Sequence, residues 1–281
     1  MRGRAGVASI TFLVLAAGLG ISAARAEALT LGGRTVILEP PAGYCALDPE
    51  RQNEADLIAF NEKMQQPRNH VVMQLADCGE LEEFRAGKRQ SFDRYGQYFV
   101  PVTDGAVTPA AGYTRAAYLA EAARELPKLD SGALMDEVTA KLRESVSDVT
   151  SAHFLGVLQQ DDAGLYLGIA VGQVSVGDQA VSAGAMGVVG LTLVNQISVS
   201  LGLYQAHAGA EAVPALVEKI RQTLAATVTA NAEIEPREGA LSGGWHGIDL
   251  KTLLIAGLIA AALAAAWAWA RRRKHRAGPP A

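Results

Sequence analysis

The 281-residue sequence predicts an α+β fold, an antiparallel sheet packed by helices, and three observations lead there. Between Ser151 and Gln205, stretches rich in Val, Ile, Leu and glycine alternate with turn residues, the pattern of an antiparallel meander. Amphipathic helical patterns stand before and after that meander. Long uncharged apolar stretches occupy both ends of the chain and confine the folded part to the residues between them.

Taken in order, Leu29 to Leu38 reads as a strand stopped by Pro40-Pro41. Asp48-Pro49 reads as an N-cap and first helical position, and Leu57, Ile58, Asn61 and Met64 recur at helical spacing until Pro67. His70 to Ala76 is a buried strand, Glu80 to Lys88 a short polar helix, and Gln97 to Val102 a further extended segment. Helices are predicted over Thr114 to Leu126 and over Ala133 to Val146, the second with Leu134, Val138 and Leu142 on one stripe. Strands follow over Ser151 to Leu158, Leu165 to Val174, Gln179 to Leu193 and Ile197 to Gln205. Asp161-Asp162-Ala163-Gly164, Gly177-Asp178 and Val194-Asn195-Gln196 are the turns. Glu211 to Ala230 carries Val213, Leu216, Val217, Ile220, Leu224 and Val228 on one stripe and closes the domain against the sheet.

The meander segments Leu165-Tyr166-Leu167-Gly168 and Ile197-Ser198-Val199-Ser200-Leu201, with the final helix, resemble the PsbP-like α/β sandwich over Ala28 to Ala230. The Pro41-Ala42-Gly43-Tyr44-Cys45 turn and the Tyr95-Gly96-Gln97-Tyr98 segment are similar to those of exported, C-terminally anchored bacterial proteins. Both resemblances imply an assembly factor or protein-binding module.

The ends set the expected compartment. Arg2 and Arg4 precede an apolar stretch that closes on Ala24-Arg25-Ala26, the three-part order of a secretory signal peptide over residues 1–26. An exported domain occupies 27–230 and a Pro- and Gly-bearing spacer 231–250. Residues 251–270 form a transmembrane helix: from Thr252 to Ala270 the chain carries no charge and no polar face, and roughly 1.5 Å per residue makes it long enough for the hydrocarbon core. Trp267 and Trp269 mark the membrane interface, and Arg271, Arg272, Arg273 and Lys274 open a basic cytoplasmic tail over 271–281. The expected topology is a single-pass protein of the bacterial inner membrane with its domain in the periplasm. Gly243-Gly244, the span and the basic cluster also resemble bacterial sorting tails in which the span is later removed. Small residues four apart, including Gly257, Ala261 and Ala265, offer a face for a homodimer within the bilayer.

From Glu27 to Ile248 the chain has 16 basic and 28 acidic residues, a net charge of −12, which argues against nucleic-acid binding. Cys45 and Cys78, both in the exported part, are expected to form one structural disulfide. Catalytic signatures are missing. Gln173-Val174-Ser175-Val176-Gly177 lacks the first glycine of a hydrolase elbow, and His70, His153 and His207 have no second ligand at helical spacing. The glycines of Gly184 to Gly190 fall within a strand pattern, where close sheet packing accounts for them better than a nucleotide. Tyr95, Tyr98 and Phe99 read as packing under the sheet. The sequence thus assigns no catalytic residue, metal ligand or cofactor. It favours a non-catalytic binding or assembly module for an envelope protein, the alternative being an envelope hydrolase with a dispersed active site.

Overall fold

A computed structural model describes residues 26–128, 152–171 and 184–231, with short pieces at 130, 132–133, 136, 139–140, 174–176 and 179–181. The expected signal peptide, span, interface residues Trp267, Trp269 and Arg271 to Lys274, and dimer residues Gly257, Ala261 and Ala265 lie outside the described residues. Among the described residues no helix is long and apolar enough to cross a membrane. Most of the expected helix over Ala133 to Val146 is also outside them; Ala133, Asp136, Thr139 and Ala140 are helical.

The first expected strand is instead a hairpin. β1 (Glu27–Leu31) and β2 (Arg34–Leu38) pair antiparallel about Gly32-Gly33, with Leu31 opposite Arg34. The two glycines have φ of +54° and +75°, the left-handed values that a two-residue hairpin turn requires and that glycine adopts without a Cβ clash. Then come β3 (Tyr44–Ala46) and α1 (Gln52–Gln65). The helix starts later than Asp48-Pro49 because those residues form a turn closed by Arg51 N–H to Asp48 O, 3.1 Å. β4 (Asn69–Asp77) leads directly into α2 (Cys78–Arg85), whose N-cap Asp77 accepts from Gly79 N and Glu80 N. β5 (Arg94–Pro101) and α3 (Arg115–Glu125) follow, the helix capped by the Thr114 hydroxyl, which accepts from Ala117 N.

The second half holds β6 (Ala152–Gln160), β7 (Leu165–Val171), the short pair β8 (Val174–Val176) and β9 (Gln179–Val181), β10 (Ala185–Val194) and β11 (Ile197–Ala206). The expected strands Leu165 to Val174 and Gln179 to Leu193 are each divided between two sheets: among the described residues β8 and β9 pair with each other, apart from β7 and β10. α4 (Val213–Ala230) ends the described chain, with Pro214 in its first turn.

Seven strands form the main sheet in the order β3-β4-β5-β11-β10-β7-β6, and every neighbouring pair is antiparallel. Two meanders are joined side by side where β5 pairs β11. Alternation along the strands builds two cores on opposite faces. Val189, Leu191 and Leu193 face Leu57, Leu81, Phe84, Tyr118 and Leu119 from α1, α2 and α3. Val188, Val199, Leu201 and Leu203 face Leu216, Ile220 and Leu224 of α4 and Val36 and Leu38 of the hairpin.

Close packing accounts for the glycine-rich stretch: a Cβ on Gly190 would strike the Ile220 side chain and lie 2.8 Å from Leu224 Cδ1. At the end of α4, Asn231 accepts from Ile37 N at 2.8 Å and donates to Ile37 O at 2.9 Å, tying the last turn to the hairpin. Tyr95 and Phe99 enter one core and Tyr98 the other, so this aromatic group packs on both faces of β5.

Candidate functional site

The sheet ends in two edges, and their side chains differ. At the β3 edge only three residues pair, with Cys45 opposite Ala76. The expected disulfide is present: Cys45 and Cys78 are bonded with S–S 2.00 Å and Cα–Cα 5.0 Å. It joins the edge strand to the first residue of α2, beside a backbone bond from Cys78 N to Gly43 O at 3.0 Å.

Ion pairs surround this corner. Glu54, 1% exposed, receives Arg85 Nε and Nη2 at 2.8 and 3.0 Å and also accepts from Asp48 N at 2.8 Å. The hydrogen bond to Glu54 holds the Arg85 guanidinium above its ordinary pKa. Glu80, also buried, accepts from Asp93 N and Arg94 N and pairs with Arg94 Nε and Arg89 Nη1. Tyr44 is buried with the Lys219 ammonium 5.7 Å from its ring centre, and burial pushes its hydroxyl up to about 12.

The β6 edge is built otherwise. Nine residues long, Ala-His-Phe-Leu-Gly-Val-Leu-Gln-Gln, it has no acidic or basic side chain apart from His153. Leu155, Val157 and Leu158 are 44%, 43% and 37% exposed, the large exposed hydrophobics among the described residues. Two register shifts against β7, between Phe154 and Gly156 and between Val157 and Gln159, mark bulges, and Gly156 takes φ +89° at the first. The bulges turn Leu155 and Leu158 onto one face above Gly168, where a Cβ would lie 2.9 Å from Leu155 Cβ and 3.1 Å from Leu158 Cδ2. Val157, paired with Leu167, faces the opposite side. Among the described residues no strand pairs with the outer backbone of β6, so its N–H and C=O groups stand as a template for strand addition. At its end the turn is fixed by Asp161, whose Oδ1 accepts from Ala163 N, Gly164 N and the Tyr166 hydroxyl, each at 2.9 Å.

A groove of about 530 Å³ runs between α4 and the loop after β2, with Glu39, Pro40, Ala42, Glu218, Lys219 and Gln222 among its lining residues. Lys219 and Glu218 are engaged. Lys219 Nζ donates to Ala42 O at 2.7 Å, and Arg221 and Gln222 bond Glu218, whose carboxyl they hold at about 2. The three histidines among the described residues are separated: His70 on β4 lies 2.9 Å from Glu62 Oε1, His153 is on β6 in the other half of the sheet, and His207 follows β11. Among the described residues no group of three His, Cys, Asp or Glu is placed to hold a metal ion.

Sequence reasoning assigned the cysteines and missed the β6 edge. A run of nine residues without Lys, Arg, Asp or Glu in an acidic domain was the available signal, since exposed edges usually carry a charge that blocks pairing. No protein-family model matches the chain. The search of curated proteins likewise finds no significant relative.

Proposed function

We propose that this chain is a membrane-anchored periplasmic docking module that binds an envelope protein by accepting a strand of that partner at β6. The observation that carries this reading is the nine-residue β6 edge, uncharged but for His153, with Leu155, Val157 and Leu158 exposed along it. Main-chain bonds to the open edge supply affinity, and the apolar side chains on its two faces supply specificity.

The Cys45–Cys78 disulfide supports export to an oxidising compartment, in line with a signal peptide over 1–26. In the same reading the spacer 231–250 and the span 251–270 hold the domain 27–230 near the inner membrane, with the basic tail in the cytoplasm. A helix-covered antiparallel sheet also agrees with the PsbP-like outline and the assembly role it implies.

The test places a photo-crosslinking residue at Val157 of the full-length protein in cells. The expected result is one dominant envelope-protein adduct that disappears when Leu155→Lys and Leu158→Lys are added. An adduct indifferent to those charges, or the same adduct from a label at Gln222 on α4, would overturn the reading.

A further inference from the structure

The two meanders meet where β5 pairs β11, and polar side chains are sealed into that seam on the face covered by α1 and α3. Gln97 of β5 is 3% exposed, and Ser198 and Ser200 of β11 are 2% and 0% exposed. Register and alternation put Gln97 opposite Gly202 and Ser200 opposite Phe99, on the face that also carries Tyr95 and Tyr204. Neighbouring polar groups are satisfied within the protein. Asn61 Nδ2 donates to Gln74 Oε1 at 2.7 Å, Gln74 Nε2 donates to Ile58 O at 3.0 Å, and the Tyr118 and Ser198 hydroxyls lie 2.6 Å apart.

Gln97 Nε2 and Ser200 Oγ differ from these: both atoms are fully enclosed and neither has a hydrogen-bond partner among the described residues. Turning the carboxamide over exchanges a donor for an acceptor and leaves the need for a partner unchanged. Gly202 makes room for the Tyr204 ring. A Cβ there would collide with the hydroxyl end of the Tyr204 ring, so that end of the ring lies over Gly202, directly across the ladder from Gln97. Three polar groups therefore share one face at the join between the half-sheets. Buried donors and acceptors in such a setting are bonded in native proteins, and where protein atoms do not serve, an ordered water with two to four partners does.

We propose that Gln97, Ser200 and the hydroxyl end of Tyr204 bound an internal site for one water molecule, which accepts from Gln97 Nε2 and bridges to Ser200 Oγ. Water suits the site because both atoms are closed off from solvent and two partners on adjacent strands already meet its minimum. It links β5 to β11 through side chains as well as through the backbone ladder.

Crystallography of the full chain in detergent tests this directly. The expected result is a single solvent peak within about 2.6–3.2 Å of both Gln97 Nε2 and Ser200 Oγ. A direct Gln97–Ser200 bond, a side chain turned to another protein group, or density larger than one water overturns the proposal. Oxygen-17 relaxation dispersion in solution supplies a second measurement: Gln97→Leu with Ser200→Ala is expected to lower the number of long-lived internal waters by one, and an unchanged number overturns it. Should that pair fail to fold, the crystallographic result on the wild-type chain decides alone.

Discussion

Set beside the β3 edge, which is three residues long, disulfide-bridged and ringed by ion pairs, the β6 edge is nine residues long and exposes three large apolar side chains. Both terminate the same sheet, so the difference is not one of topology. Open edges invite pairing with other chains, and proteins block them by shortening, covering or charging them. β3 is short, and the start of α2 and its charged neighbours crowd it. β6 has only its bulges, which bend the strand and gather Leu155 and Leu158 on one face without adding charge. Among the described residues one end of the sheet is cross-linked and ion-paired and the other is open and apolar.

That contrast can be broken first at the disulfide. Replacing Cys45 and Cys78 with serine removes a cross-link spanning 33 residues, and the chain-entropy relation puts the expected loss at about 3–4 kcal/mol. Urea unfolding of the variant and of the oxidised wild type measures it; a loss below about 1 kcal/mol would mean that the ion pairs alone hold the corner. Glu54→Gln comes next. It replaces the buried carboxylate beside Arg85 with a neutral amide, the exposed Glu82 remaining as the guanidinium's ionic partner, and is expected to cost about 2 kcal/mol, read by the same titration. A Glu54→Gln, Arg85→Met double variant should recover part of that.

Alkaline pH acts on the same end through Tyr44, and elsewhere through the other buried tyrosines, whose hydroxyls burial also raises. The folded-state pKa of Tyr44 is about 12, against an ordinary value of about 10 in the unfolded chain. The folded form therefore keeps a proton that the unfolded form gives up. This contribution is whole below about pH 10 and is lost as pH rises toward 12, about 3 kcal/mol in all. Unfolding midpoints between pH 9 and 12 should fall, and Tyr44→Phe should flatten the slope.

At the β6 edge the effects on stability are smaller. Gly168→Ala forces Leu155 and Leu158 away from the sheet and is expected to cost about 1 kcal/mol, with faster hydrogen exchange of the β6 amides and no change in those of β4. Val157→Lys is expected to shift stability by less than about 0.5 kcal/mol while abolishing the crosslinked complex. A large loss of stability from Val157→Lys would instead make β6 part of the structural core.

Much of the fold was legible because it is written locally. Leu216, Val217, Ile220 and Leu224 announce a helix with one apolar side, and α4 buries those four residues. Asp161-Asp162-Ala163-Gly164 carries the acceptor that fixes its own turn. The pairing of Cys45 with Cys78 needed only the expected compartment and the absence of any other cysteine. Gly32-Gly33 was equally local and was passed over inside an apolar run, so one strand was read where the turn makes two.

The candidate site was not legible in this way. Nothing within Ala152 to Gln160 states that this strand is last in the sheet, because sheet order follows from which apolar faces pack together across the chain. For the same reason β5 found β11 about a hundred residues away, and that pairing enclosed Gln97 and Ser200. Composition, period and turn chemistry in the sequence were enough to establish many of the elements, the class of fold, the acidic balance of the domain and the expected apolar ends. Which strands became edges, which glycines let helix and ring approach, and which polar groups were sealed in depended on burying two faces of one sheet at once, a condition no single segment contains.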